Sequence, residues 1–514
     1  MAKFHSGGAA KDRWIDLLLV AVSLLVVYLL IFFIIDPFSL PVRNPDLWLM
    51  VPLAESIANS NPQVSPFWNL GYPALLAVFG QFCGGYGTAE TVISLLTGGC
   101  FLLLSYFVGR KYLGRYWALA VLWLTASSEV FIFCVGGFKD YLLLASLLIS
   151  AIVCLEWAVK KNRWWSVLLA GGILGAGYLD RYIILLILPV FIIWILVKVD
   201  GWGRRLKYAL MYLVSFFILA SPQIAINIWR EGNPFYSGNA RTIWFALQGS
   251  HDWSLLFSHN KEESIFSLFF AAPIKMIIMW SKNCVALLLV PLIQVPIFIF
   301  GWAGLIFVWF KRKEWHIGLP FVVLAVYSAL SLLFKFWNHY YIAVSTYMAV
   351  GALALMKEII PQKIGKGKGF PLLSPLVVIF TIIGLAISIY SVKYDKLYQW
   401  EKEATFEVSE KLSSQGVTDP KTVLSTNHNL YLVDAEMADK QFSILPYDIC
   451  NLEELTEYIE ENDYHYFIAY NVGGSGGSWQ GLTAQLVKTD KMPGNFESIY
   501  SKTGAQTLII YHIE

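Results

Sequence analysis

Apolar runs of about twenty residues recur from the N-terminal region to near residue 392, and no other feature limits the possible folds so severely. Within hydrocarbon such a run can satisfy its own backbone only as a helix, so the pattern predicts a polytopic α-helical membrane protein. Read by hydropathy, the spans fall at 15–35, 90–109, 116–134, 140–159, 164–179, 182–198, 208–228, 284–310, 317–335, 340–356 and 370–392. That makes about 11 transmembrane helices, the fifth short enough to tilt or to be partly re-entrant. Composition agrees: 57% of the residues are hydrophobic and 14% charged, which is too little charge to coat a soluble globule of 514 residues. The first run follows Lys3, Lys11 and Arg13, exceeds the apolar core of a signal peptide and has no small-residue cleavage site after it. It reads as a retained anchor.

Alternate connections carry the basic residues. They are Arg110, Lys111 and Arg115; Lys160, Lys161 and Arg163; Arg204, Arg205 and Lys207; Lys311, Arg312 and Lys313; and Lys363, Lys366 and Lys368. By the positive-inside rule these face the cytoplasm together with the N-terminus, which leaves the connections 36–89 and 229–283 and the C-terminal region outside. The net charge of only +2 makes nucleic acid an unsuitable partner. The six cysteines are scattered, without metal or disulfide spacing, and read as small hydrophobes. The outer segments hold no Asn-x-Ser/Thr sequon, which is compatible with a bacterial plasma membrane.

Past Tyr394 the chain turns polar. The helical pattern WEKEATFEVSEKL precedes the strand-like VLST, NLEELTEYIEEN leads into YHYFIAY, and TLIIYHI closes the chain. This predicts two domains: a membrane domain over 1–394 and a small extracytoplasmic α/β domain over 395–514. The run Gly473-Gly474-Ser475-Gly476-Gly477 lacks the following Lys-Ser/Thr of a phosphate loop and reads as a flexible loop.

Chemistry is sought among ionisable groups at or inside the membrane, where they are costly unless paired, solvated or functional. Asp46 follows Arg43, Asn44 and Pro45 and precedes the apolar patch Leu47 to Ile57. It is either a helix N-cap or an acid at the membrane edge. Asp140, beside Lys139, opens the fourth span. It is either a paired helix-start residue or a second carboxylate that positions an acceptor or a cation. Arg181 suits a phosphate clamp, and equally suits pairing with Asp180 or reaching toward headgroups. Lys335 and His339 break the polypeptide between the ninth and tenth spans. Arg230, Arg241, His251, Asp252 and His259 match no metal template.

Several segments, taken in order, resemble one family. Asp46 follows the first span, the run Trp68-x-x-Gly71-Tyr72-Pro73-x-Leu75-Leu76 closes the first outer loop, and Asp140 heads a Leu-rich span. Leu179-Asp180-Arg181-Tyr182 is similar to a Thr-Arg-Pro-like turn, and Asn227-x-x-Arg230-x-Gly232-Asn233-Pro234-Phe235 to an Arg-Asn-x-x-x-x-Gly-Asn-Pro-Phe segment. Together they resemble the GT-C superfamily of polytopic glycosyltransferases, in particular bacterial relatives of the protein O-mannosyltransferases and of the lipid A aminoarabinose transferases. The pattern departs from relatives at Asp46-Leu47, which lacks a second acid, at Gly71-Tyr72-Pro73 in place of Lys-Pro-Pro, and at Tyr182 in place of Pro.

The resemblance implies inverting transfer of a sugar from a polyprenyl-phosphate carrier to a hydroxyl of a glycan, lipid or protein at the outer face, among membrane lipids. Asp46 would be the base and Asp140 would orient the acceptor or a divalent cation. Arg181, Lys335 and His339 would stabilise the departing phosphate, with Lys139, Tyr72 and Arg43 completing the substrate-binding set. No organic cofactor is implied; a metal, if present, would be held by Asp46 and Asp140. The alternative is a flippase of lipid-linked saccharides that makes no bonds. Such a protein would place charges near the bilayer midplane, whereas here they gather at one face.

Overall fold

The computed structural model describes residues 6–35, 37, 47–65, 67–136, 140–248, 265–294, 299–311, 318–333, 338–359, 378–379, 381–388, 390, 396–426, 431–433, 439–445, 449, 451–470, 482, 496–503 and 507–513. The membrane region is helical: α1 (Ser6–Ile35), α2 (Leu47–Ala58), α3 (Gly71–Cys83), α4 (Tyr86–Tyr112), α5 (Arg115–Ala126), α6 (Glu129–Gly136), α7 (Asp140–Lys161), α8 (Trp164–Asp180), α9 (Ile183–Lys198), α10 (Trp202–Glu231) and α11 (Asn239–Gln248). It continues with α12 (Ile265–Ala271), α13 (Pro273–Gln294), α14 (Ile299–Lys311), α15 (Gly318–Ser331) and, after a 3₁₀ turn at Asn338–Tyr341, α16 (Ile342–Ile359).

Five described helices are long and apolar enough to cross a bilayer, and six if the bent pair α5 and α6 is one span. Several others are shorter apolar helices such as Gly71–Cys83 and Gly318–Ser331. The expected span 116–134 is therefore two helices meeting at 58° around Ser127 and Ser128. The break is tolerated because its polar groups find partners. Ser388 Oγ donates to the Ser127 carbonyl at 3.0 Å, and Ser128 Oγ accepts the Phe131 N–H at 3.2 Å. The run 284–310 likewise falls on two helices, α13 beginning at Pro273 and α14 at Ile299. Lys275 and Lys282 depress the hydropathy of the first turns of α13 without interrupting the helix.

Packing between spans depends on close contact, since lipid tails are as apolar as the side chains they would replace. The α8–α10 crossing is the clearest case. A Cβ on Gly171 would strike Ser215 Oγ and the Tyr212 carbonyl, and one on Gly175 the Phe216 carbonyl, so the two backbones nearly touch. The order of these contacts makes α8 and α10 parallel. By contrast α7 and α8 form an antiparallel hairpin, turning at 162–163, which returns the chain to the end where Asp140 began.

The polar C-terminal region folds as a five-stranded sheet in the order β4-β1-β5-β7-β6. Its strands are β1 (Val423–Ser425), β4 (Ser443–Ile444), β5 (Tyr466–Tyr470), β6 (Phe496–Thr503) and β7 (Thr507–Ile513), while β2 (Tyr431–Val433) and β3 (Asp439–Gln441) form a separate ladder. β1, β4 and β5 are parallel, and β7 is antiparallel to β5 and β6. Alternation explains the layers. Ile468 and Ile510 point to α17 (Lys396–Ser414), against Ala404, Val408 and Leu412. Phe467 and Tyr511 point to α18 (Leu452–Asn462), against Leu455 and Ile459. Asn451 caps α18 by accepting the Glu454 N–H at 2.9 Å. Lys502 Nζ reaches Glu407 Oε1 at 2.8 Å and the Tyr500 hydroxyl donates to Oε2, clamping β6 to α17.

Candidate active site

The α7–α8 hairpin builds the centre. α7 starts at Asp140 and α8 ends at Asp180, so two helices of similar length bring residues 41 positions apart to one level. Arg181 leaves the helix in extended conformation, at φ −145° and ψ 135°, while its N–H still closes on the Gly177 carbonyl at 2.9 Å. That turn sends the guanidinium back across the hairpin, where Nη2 pairs with Asp140 Oδ2. The pair is enclosed: the Asp140 side chain is 1% exposed and that of Arg181 14%. Asp140 Oδ1 is buried and has no hydrogen bond among the described residues.

Aromatic rings floor the pair. The Arg181 guanidinium lies 4.6 Å from the centroid of Tyr141, the residue after Asp140. On Tyr141 rests the imidazole of buried His339, centroid to centroid 4.4 Å, with Tyr340 5.2 Å from the same ring. The 3₁₀ turn Asn338–Tyr341 supplies both, so the break between the ninth and tenth expected spans serves to lay His339 against α7. Asp140, Arg181 and His339, three of the residues singled out from the sequence, are brought together.

The turn of α8 into Arg181 is itself pinned by the first loop. Gly71 lies so close to α8 that a Cβ there would stand 2.7 Å from the Leu179 carbonyl oxygen. Asn69 Nδ2 donates to the Tyr178 carbonyl. The Leu70 N–H donates to Gln223 Oε1 at 2.8 Å, Gln223 Nε2 to Asn227 Oδ1 at 2.8 Å, and Asn227 Nδ2 to the Pro234 carbonyl at 3.2 Å. Arg230 reaches Asn61 Oδ1 at 2.5 Å and the Pro62 carbonyl at 3.2 Å. Gly232 takes the left-handed φ of +67° that lets the chain reverse after α10. The Gly71-Tyr72-Pro73 and Gly-Asn-Pro-Phe segments are thus two ends of one polar relay through α10.

Tyr72 is buried between α2, α4 and the end of α8, and its hydroxyl has no partner among the described residues. Asp180 is buried too, with neither carboxylate oxygen hydrogen-bonded among the described residues. The sequence alternative of an Arg181–Asp180 pair is therefore corrected. Helical geometry turns adjacent side chains apart, and the guanidinium goes to Asp140. Asp46, Arg43, Lys139 and Lys335 lie outside the described residues, as do His251, Asp252, His259 and the glycine-rich loop at 473–477. Among the described residues no three acids, histidines or cysteines are placed to hold a metal, and Asp140 Oδ2 is engaged by Arg181.

Sequence reasoning passed over Gln223, Asn69 and Tyr141. An amide inside the apolar run ILASPQIAINIW was the available signal for Gln223. Tyr141 gave none, since a tyrosine at a membrane helix end is ordinarily an interface residue.

The family model described as dolichyl-phosphate-mannose-protein mannosyltransferase matches residues 69–226, which hold the first-loop motif, the hairpin and Gln223. No curated protein sequence matches the chain. Among solved structures, ArnT from Cupriavidus metallidurans in the apo state superposes with a TM-score of 0.55 at 12% identity, covering 98% of each chain. AglB, the archaeal oligosaccharyltransferase from Archaeoglobus fulgidus in complex with an inhibitory peptide and a dolichol-phosphate, gives 0.53 at 13% identity, over 89% of this chain and 69% of its own. The chain thus resembles the mannosyltransferase family over the site-bearing segment 69–226 and shares the fold of ArnT over nearly its whole length.

Proposed function

We propose that the protein is an inverting transferase that moves a sugar from a polyprenyl-phosphate carrier to a hydroxyl of a glycan, lipid or protein, at the outer face of a bacterial plasma membrane. The observation that carries the reading is the enclosed Arg181–Asp140 pair beside His339, at the end of the hairpin within the family-matched segment. In the transfer, the acceptor oxygen bonds to the anomeric carbon from the face opposite the carrier, and its proton passes to a base. The carbon–oxygen bond to phosphate breaks, its electron pair staying on the phosphate, so negative charge grows there. Arg181 answers that charge with further guanidinium N–H donors while Asp140 holds the fork in place. Asp46 is the base on this reading. Lys335, Lys139 and Arg43 add positive charge for the donor, and Tyr72 and His339 shape the sugar site. The dolichol-phosphate found with AglB supports a lipid-phosphate donor.

The same reading has about 11 spans, the N-terminus in the cytoplasm and residues 395–514 as an outer domain over the site. The deciding experiment measures release of free polyprenyl phosphate from labelled polyprenyl-phosphate sugars by the purified protein, with and without EDTA. Asp46→Asn is expected to lower release by about two to four orders of magnitude while donor binding persists. Unchanged turnover would remove Asp46 from the chemistry. Donor binding without release, with acceptor membranes present, would favour a flippase.

A further inference from the structure

Basic residues crowd the Lys161 end of the bundle, opposite Asp140, and two clusters are neutralised from within. Arg110 and Arg115 share Asp16, the first at 2.9 Å. Lys111 sits on Glu156, whose other oxygen accepts the Tyr112 hydroxyl at 2.7 Å. A third cluster has no such acid. Lys161 and Arg163 in the α7–α8 turn and Arg204 and Lys207 at the start of α10 are exposed, and none forms an ion pair among the described residues. Asp200, in the α9–α10 turn, is a single acid against four cations.

These cations form one surface because α8 and α10 are parallel and start side by side. The Tyr208 hydroxyl donates to Asn162 Oδ1 at 2.7 Å, tying the turn to α10, and Arg204 lies one helical turn before Tyr208 on the same face. Arg163 is held over two indoles, 4.9 Å from Trp157 and 5.9 Å from Trp165, whose rings meet edge to face at 4.8 Å. Further along α8 and α10 from the cations are exposed Leu169 and Leu210. The surface thus offers fixed positive charge, then indoles, then hydrocarbon. A soluble anion would use only the first of these.

We propose that this surface binds an anionic diacyl phospholipid of the leaflet it faces. Arg163 and Arg204 take the phosphate and Lys161 the remaining charge, with the acyl chains lying along Leu169 and Leu210. The excess of four cations over the single acid Asp200 among the described residues disfavours a zwitterionic headgroup, whose ammonium would meet mainly like charge.

The test uses the full chain in neutral detergent. Retained lipid is counted by native mass spectrometry after adding dioleoyl phosphatidylglycerol or dioleoyl phosphatidylcholine. The phosphatidylglycerol adduct is expected to persist and the phosphatidylcholine adduct to be lost. Arg163→Ala with Arg204→Ala should weaken phosphatidylglycerol binding about thirtyfold. Its lipid-free thermal midpoint should stay at the wild-type value. Should the double variant not fold, Arg163→Gln alone is expected to show about a fivefold loss. Equal retention of the two lipids, undiminished binding by a folded variant, or displacement of the lipid by millimolar inorganic phosphate would each overturn the proposal. The readout is binding, independent of any transfer reaction.

Discussion

Removing one partner of the Arg181–Asp140 pair should separate its structural from its chemical role. Arg181→Met keeps the bulk of the side chain and leaves Asp140, only 1% exposed, as an uncompensated buried charge. Breaking such a pair costs about 3–5 kcal/mol in soluble proteins. The lower figure is apt here, because the unfolded chain stays in the membrane and finds other partners there. About 3 kcal/mol is roughly a hundredfold in the folded-to-unfolded ratio. Asp140→Asn in the same background removes the stranded charge, and the double variant should regain most of that loss, a coupling of about 2 kcal/mol. Thermal unfolding in detergent, followed by tryptophan fluorescence, gives the stability cycle, and polyprenyl phosphate release gives the activity of the same four proteins. Stability is expected to recover in the double variant while release stays low. A double variant no more stable than Arg181→Met would refute the coupling. One that regains release along with stability would reduce Arg181 to a structural residue.

Gln223→Leu strands the Leu70 N–H and Asn227 Oδ1, so it should cost about 1–3 kcal/mol and lower turnover by loosening the first loop. Turnover is read by polyprenyl phosphate release, and an unchanged thermal midpoint would show that the relay contributes little. Gly175→Leu drives a side chain into the Phe216 carbonyl and should abolish recovery of monodisperse protein in size-exclusion chromatography, whereas Gly172→Leu, whose Cβ site meets only Leu219 at 3.8 Å, should be tolerated. In the C-terminal sheet, hydrogen bonds from Lys502 and then Tyr500 hold the Glu407 carboxyl below its ordinary value. A depressed carboxylate stabilises the fold above its unfolded pKa of about 4.3, and the gain is lost as pH falls through the folded value. Lys502→Met should therefore flatten the acid-side loss of protection in β6, measured by hydrogen exchange between pH 5 and 2; an unaltered profile would sever Glu407 from that loss.

Much of the membrane architecture was legible because hydropathy reports the medium around each segment, and that is a local property. The helices α4, α7, α9, α10 and α16 lie where the apolar runs do, within a few residues. The helix–strand order after residue 395 follows in the same way from period and polarity. The sequence motifs also marked the segments that meet: Gly71 against Leu179, and Asn227 against Pro234. Hydropathy could not show the break at Ser127, since two serines barely lower the mean of an otherwise apolar window. It missed α3 as well, whose 13 residues are too few for a span.

What the sequence determined by itself is therefore the medium of each segment, the helical class and the short inventory of costly polar groups. What only the tertiary structure decided is their pairing. Arg181 had Asp180 next to it in sequence and took Asp140, 41 positions away, because adjacent residues diverge around a helix while an antiparallel hairpin brings its two ends level. His339 gained its place by the 3₁₀ turn, and Gln223 its partner Leu70 because the first loop packs on the end of α8, which runs beside α10. Those contacts are set by how closely helices cross, and the crossing distance belongs to both helices at once.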